Sequence, residues 1–311
     1  MAVQPVQALP VTPLARARHS LHVWPASRQV AIAALLLPSL VFLALFFAFP
    51  AVGLLACSFL TQAPDGTVGL PLTLEHYRHF LGTPLYSHVL LTTLRISLVT
   101  TGVAMVLAYP VALVMVRTSP LVNRILTMIV IAPLIVSVVV RTYGWQLILA
   151  NGKTGILNWL LLATGLARSP VKLLYTETAV VIGSLHVYYP MMVLPLASAL
   201  GRIDPRIEDA ARTLGATSWR IFRRITAPLS LPGLAVGATL VFSLTAGSFV
   251  TPAILGGSSA QMLGMLVDQQ ILVVYDWPFG ATVATVLVAI VLTVNVVSFR
   301  ALNPRRTTRT A

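Results

Sequence analysis

The chain reads as six apolar stretches separated by short polar ones. Runs at about 30–60, 89–116, 124–149, 178–200, 233–255 and 278–302 each reach the roughly 20 residues that a helix needs to cross ~30 Å of hydrocarbon. Gly or Pro falls inside each run, for example Pro38, Pro110, Pro133, Pro190, Pro195 and Gly247. A bundle tolerates them because neighbouring helices satisfy the freed backbone groups. The pattern predicts an all-α polytopic membrane protein with six transmembrane helices. Composition agrees: 9% of the 311 residues are charged, against about a quarter in soluble domains.

The long polar interruption lies at Gly201–Pro232. It holds six of the 21 basic residues, Arg202, Arg206, Arg212, Arg220, Arg223 and Arg224, and three of the eight acids, Asp204, Glu208 and Asp209. Its grammar predicts two short helices at an angle. Asp204 is an N-cap with Pro205 at the first helical position, and acids in the first turns complement the helix dipole. Gly215 supplies a left-handed stop, and Thr217 or Ser218 caps the second helix. Trp219, Phe222 and Ile225 recur at i, i+3, i+6, while Arg220, Arg223 and Arg224 lie elsewhere, as on a helix at a membrane interface. Pro228 and Pro232 are expected to end it. Ala210 and Ala211 leave the backbone almost bare just before the turn, where another protein's surface can come close.

The distribution of cations sets the orientation. With both termini on one side, that side holds 15 Lys and Arg and the opposite side four, with Arg95 and Arg141 inside spans. Positive charge collects on the cytoplasmic face, so both termini and the 201–232 loop are expected there. Residues 1–29 are expected to be a mostly disordered tail, 30–303 the transmembrane domain and 304–311 a basic tail. Leu54-Leu55-Ala56-Cys57 approaches a lipoprotein cleavage box, but the preceding apolar stretch is too long for a signal and no cleavage is expected. A single cysteine, Cys57, excludes an internal disulfide and a cysteine-rich metal site.

Other polar groups admit two readings each. His76 and His79 beside Glu75 have i, i+3 metal-ligand spacing, but the bland reading, a surface helix resting Tyr77 and Phe80 on the bundle, is preferred. Asn151-Gly152-Lys153-Thr154 mimics the end of a phosphate-binding loop, yet Leu147 stands where its first glycine belongs. Next to it, Asn158-Trp159-Leu160-Leu161-Leu162 suggests an interfacial helix. Arg95 and Arg141 either serve function or a partner, or snorkel from the outer third of their helices. His186, Tyr188 and Tyr189 form a polar patch before Pro190 and Pro195 that either lines a pathway or packs on a neighbour. Gly233-x-x-x-Gly237 permits close helix contact. Asp276 with Trp277 and Pro278 starts the last helix. No catalytic constellation of Ser, His and Asp or paired carboxylates is present at hydrolase spacing.

Asp209-Ala210-Ala211, three residues, Gly215, nine residues, Ile225 and then Pro228 resemble the EAA loop of permease subunits of ATP-binding-cassette importers. Asp209 stands in for the usual Glu and Ala227 for the usual Leu. Further landmarks are similar to the spermidine/putrescine-type permeases: Val139-Val140-Arg141-Thr142-Tyr143-Gly144-Trp145, Gly155-Ile156-Leu157-Asn158, Leu255-Gly256-Gly257 and Asp276-Trp277-Pro278-Phe279-Gly280.

The resemblance implies a type I importer permease fold in the bacterial inner membrane, working with a second permease in a hetero-oligomer, a cytosolic ATPase dimer and an external solute-binding protein. ATP and Mg would be bound by the ATPase, leaving no cofactor or metal on this chain and no nucleic-acid partner. Asp209, Ala210, Ala211, Arg212, Gly215, Ile225 and Pro228 would form the coupling helix and its flanks. Arg141, Tyr143, Trp145, His186, Tyr188 and Tyr189 would border the translocation pathway. The implied cargo is a polyamine, with an anionic or other small solute as the alternative within the class and an ion-coupled secondary transporter outside it.

Overall fold

A computed structural model of the chain describes residues 26–302. Residues 1–25 of the expected first tail, and all of the expected tail at 304–311, lie outside the described residues. The chain divides into two units, 1–52 and 53–311. In the first, helix Ala26–Leu43 contains Pro38 and runs into a π-turn at Ala44–Ala48. It contributes to Ala34–Cys57, a helical stretch long and apolar enough to cross a membrane.

Among its described residues the second unit is mostly helical, and its two strands form one small hairpin, Thr61–Gln62 paired antiparallel with Val68–Gly69. The expected turn at Pro64-Asp65-Gly66 closes it: Asp65 Oδ1 accepts from Thr67 N at 3.0 Å and from Thr67 Oγ1 at 2.7 Å. These bonds hold the exposed Asp65 carboxyl below its ordinary pKa. Four further stretches, Pro84–Arg117, Glu177–Gly201, Ser218–Ala246 and Trp277–Arg300, are long and apolar enough to cross a membrane.

The expected crossing at 124–149 is not one straight helix. Pro120–Ile135 and Val138–Ile148 meet at a bend of 99°. Val136 and Ser137 are extended, and the Val136 N–H reaches only the Pro133 carbonyl, so the ladder stops there. The 16-residue first arm is about 24 Å long, short of a full crossing by itself. Six spans result only when the bent pair counts as one.

A second expectation also changes. Pro228 and Pro232 do not end the second short helix of the polar loop; Ser218–Ala246 is continuous. A π-turn at Phe222–Thr226 makes this possible. Ala227 N–H bonds to Phe222 O, one residue farther back than in an α-helix, immediately before Pro228, which has no N–H to offer.

Three helices form the centre of the unit: Pro84–Arg117, Glu177–Gly201 and Ser218–Ala246. The first two lie parallel and in register, since Arg95 pairs with Glu177 and Tyr189 Oη donates to Leu107 O at 2.8 Å, both 82 residues apart. Ala104, Ala108 and Ala112 are fully buried at i, i+4, i+8 and pack with Met192, Val193 and Leu196. Lipid tails are as apolar as leucine, so small residues that allow close van der Waals packing drive such contacts.

The third helix runs antiparallel. At Gly233 a Cβ would lie 2.6 Å from Pro195 O, and at Gly237 one would lie 2.8 Å from Met192 Sδ, so Gly233-x-x-x-Gly237 is a seam of close approach as its spacing predicts. Trp277–Leu302 packs on this helix, with Asn295 Nδ2 donating to Ser243 Oγ at 2.7 Å.

Candidate functional site: the polar hairpin of helices

The loop at the shared end of the three central helices folds as its capping residues predict. Asp204 Oδ1 accepts from Arg206 N at 3.0 Å and starts helix Pro205–Thr213. Such a cap is worth roughly 1 kcal/mol. At the far end Ala216 N bonds to Ala211 O at 3.0 Å, closing a Schellman turn in which Gly215 has φ +79°. Thr217 Oγ1 then caps Ser218–Ile221 through Arg220 N.

The two faces of Pro205–Thr213 differ. Asp209 and Arg212 form an exposed i, i+3 pair at 2.7 Å, and Ala210 is exposed beside them. Ala211 is half-buried. Ile207 and Leu214 are 47% and 87% exposed, so the hairpin presents apolar surface outside the spans, and Trp219, 68% exposed, stands at the start of the Ser218–Ala246 stretch. Of the six loop arginines, only Arg212 meets a carboxylate among the described residues. Ile225 and Pro228 are half-buried, one inside the π-turn and the other just past it.

The inward face holds a residue that the sequence treated only as a dipole partner. Glu208 is 3% exposed. Its Oε2 accepts from Arg117 Nη1 at 2.6 Å, and its Oε1 accepts from Arg117 Nη2 and from Thr226 Oγ1 at 2.8 Å. The Arg117 hydrogen bonds hold its carboxyl below the usual glutamate range, against the opposing effect of burial, with Thr226 assisting. Nothing in the local sequence signals this, because Arg117 lies 91 residues away.

The expected pathway residues separate into two groups. Trp145 meets His186 edge-on with centroids 5.7 Å apart, and Arg141 Nη1 reaches Val187 O at 3.5 Å. Val187 lies about ten residues, ~15 Å, into its helix. Arg141 therefore sits toward the middle of the bundle rather than in an outer third. It has no carboxylate within 4.0 Å among the described residues, and its buried Nε has no hydrogen-bond partner. Tyr188 borders a cavity of about 310 Å³ shared with Val138, Ser243, Ser248 and Phe249. Tyr189 instead joins two helices through Leu107 O, and Tyr143 is exposed. Arg95, 60% exposed in its side chain, is satisfied by Glu177.

Polar residues at the opposite end are absorbed by structure. Asn151 accepts from Leu173 N and Leu174 N and donates to Leu174 O, closing the Asn-Gly-Lys-Thr segment as a loop staple. Buried Asn158 bonds Ala150 O, Val171 O and Val171 N. His76 Nε2 donates to Leu60 O at 3.1 Å, and His79 packs edge-on against Phe279 and Tyr86. Asp276 Oδ1 caps the last helix through Phe279 N at 3.0 Å.

Comparison with known proteins adds family and fold. Over 250 residues the chain is 35% identical to the spermidine/putrescine transport system permease protein PotB of Haemophilus influenzae, covering 79% of this chain and 86% of that protein. It is 34% identical over 259 residues to PotB of Escherichia coli, covering 83% and 93%. A solved bacterial alginate ABC transporter, in complex with an alginate pentasaccharide-bound periplasmic protein, contains a chain that superposes with TM-score 0.70 over 92% of this chain and 97% of that one. At 17% identity it supports the fold alone. The model of the binding-protein-dependent transport system inner membrane component matches residues 101–309. With most of the helical bundle inside that match, the chain belongs to the family of binding-protein-dependent transport system inner membrane components.

Proposed function

We propose that the chain is one of two permease subunits of an ATP-driven importer, with the 205–221 hairpin on the cytoplasmic face and docked in a cleft of a partner ATPase. The observation that carries this reading is the hairpin itself: a doubly capped, rigid projection with Ile207, Leu214 and Trp219 uncovered. Apolar groups in that position want a protein surface, and the surrounding excess of arginine favours the cytoplasmic side. ATP and Mg belong to the partner. Its closure on nucleotide displaces the hairpin and biases the bundle between inward- and outward-facing states. A soluble binding protein delivers cargo from the other side.

The cargo we assign is a polyamine such as putrescine or spermidine, following the relatives' substrate. Trp145, Tyr188 and Phe249 offer aromatic faces to its ammonium groups, and acids on the second permease supply counter-charge. One observation favours a second reading, an anionic cargo: Arg141 has no acidic partner within the described residues.

Reconstitution with the partner subunits tests both. Labelled putrescine should enter proteoliposomes only with ATP, the ATPase and the binding protein all present. Uptake by this chain alone, driven by an ion gradient, would refute the assignment. ATP-dependent uptake of an organic anion in preference to putrescine would leave the class and change the cargo.

A further inference from the structure

The interior face of Pro205–Thr213 carries one ionised group, and that group is held by two other elements. Arg117 is the last residue of the Pro84–Arg117 helix. Thr226 is the last residue of the π-turn in the continuous Ser218–Ala246 helix. Glu208 takes two hydrogen bonds from the first and one from the second, in the wall of a cleft of about 310 Å³ that Leu113, Ile221 and Phe222 also line.

Charge makes this junction stiff. Separating the buried Glu208 carboxylate from Arg117, whose own side chain is partly exposed, strips the acid of its hydrogen-bonded cation, so the junction resists sliding more than an apolar contact does. Covalent connection already links the short helix to Glu177–Gly201 and to Ser218–Ala246. The Pro84–Arg117 helix has no such link, because the chain reaches it only through 87 intervening residues at 118–204. A push on the exposed face of the short helix therefore reaches that span through Glu208.

We propose that Glu208 is a positioning residue that transmits displacement of the Pro205–Thr213 helix to the Pro84–Arg117 span, with Thr226 keeping the π-turn in step. The proposal rests on the reading of the hairpin as the ATPase-facing element. Asp209 and Ala210, with the half-buried Ala211, form the surface that is pushed; Glu208 forms the linkage behind it.

The test uses the complete transporter in proteoliposomes, with basal ATP hydrolysis, its stimulation by cargo-loaded binding protein, and labelled putrescine taken up per ATP. Glu208→Gln keeps the side-chain volume and removes the charge. It should assemble with its partners, hold basal hydrolysis near wild type, and lower both stimulation and uptake per ATP by about fivefold, the low end of ordinary allosteric coupling. Thr226→Val, which cuts only one arm, should give a smaller loss of the same kind. Exchanging the charges in Glu208→Arg with Arg117→Glu should recover part of the coupling.

Wild-type stimulation and stoichiometry in Glu208→Gln overturn the proposal. Should that variant fail to assemble, wild-type coupling in Thr226→Val together with no recovery by the charge exchange does the same. Ala211→Trp in parallel separates the two levels. If it uncouples hydrolysis from uptake while the Glu208 and Thr226 variants behave as wild type, the linkage falls and the docking surface stands. If Ala211→Trp also leaves uptake unchanged, the docking surface itself is wrong.

Discussion

Tyr109 Oη donates to Ser230 Oγ across 2.6 Å, and the Ser230 hydroxyl in turn donates a hydrogen bond to Ala227 O at 3.0 Å. This joins the Pro84–Arg117 and Ser218–Ala246 helices just beyond the π-turn, where Tyr109 also meets Phe222 edge-on at 5.2 Å. Tyr109→Phe keeps the aromatic contact and deletes one hydrogen bond, leaving Ser230 with its own donor satisfied. The expected loss is about 1 kcal/mol, read as a lower melting temperature of the purified protein in detergent. No loss would mean that the hydroxyl pair adds nothing to helix association.

The two glycines of the helix seam should differ in tolerance. A Cβ at Gly233 meets the Pro195 carbonyl at 2.6 Å and backbone cannot yield, whereas the first atom met at Gly237 is the flexible Met192 Sδ at 2.8 Å. Gly233→Ala should therefore destabilise more than Gly237→Ala, by about 1–3 kcal/mol for the former. Thermal unfolding of the two variants side by side checks the order.

This seam was legible from the G-x-x-x-G spacing, as were the Asp204 cap, the Gly215 stop and the Asp276 start, because each depends on residues within one or two turns. The 99° bend was not. Residues 120–148 are mostly apolar on both sides of it, and a hydropathy pattern measures length without direction. Continuity through Pro228 was hidden for a related reason: a proline signals a break unless the preceding turn widens, and Phe222–Thr226 carries no mark of doing so. The local sequence marks Glu208 only as a complement to the helix dipole because its partner, Arg117, is distant in sequence, and it carries no sign of the placement of Tyr189 because the acceptor is a main-chain oxygen.

Acid should weaken the Glu208 junction. Its folded-state pKa is depressed by Arg117, so its contribution to stability is fully present above the unfolded value, ~4.3, and is lost as pH falls through the folded value. The stability difference between wild type and Glu208→Gln should be constant near neutrality and shrink below about pH 4. A difference that instead grew on acidification would contradict the ionised pairing.

Asn158 should be costly to replace. It satisfies Ala150 O, Val171 O and Val171 N from a buried position. Asn158→Leu leaves these groups without their partner, at about 1–3 kcal/mol for each that water cannot reach. Limited proteolysis between residues 150 and 175 should accelerate in this variant, while the helices around Met192 stay protected.

Arg95→Gln should do little by comparison. The pair is made by Glu177, the first residue of its helix, so it lies at a helix end that water reaches, and water-exposed pairs contribute about 0–1 kcal/mol. A double-mutant cycle with Glu177→Gln measures it; a coupling of several kcal/mol would place the pair out of reach of water.

The wide turn at Phe222–Thr226 makes the Ser218–Ala246 rod a screw with one surplus residue in its thread. Tightening that turn to ordinary α geometry would rotate everything before it by about 100° about the axis, swinging Trp219 and Arg220 to another quadrant while Gly233 and Gly237 stay clamped. Tightening with every residue kept would thus leave the seam assembled and aim the hairpin in the wrong direction, whereas deleting one residue there removes the surplus and keeps the hairpin's present aim.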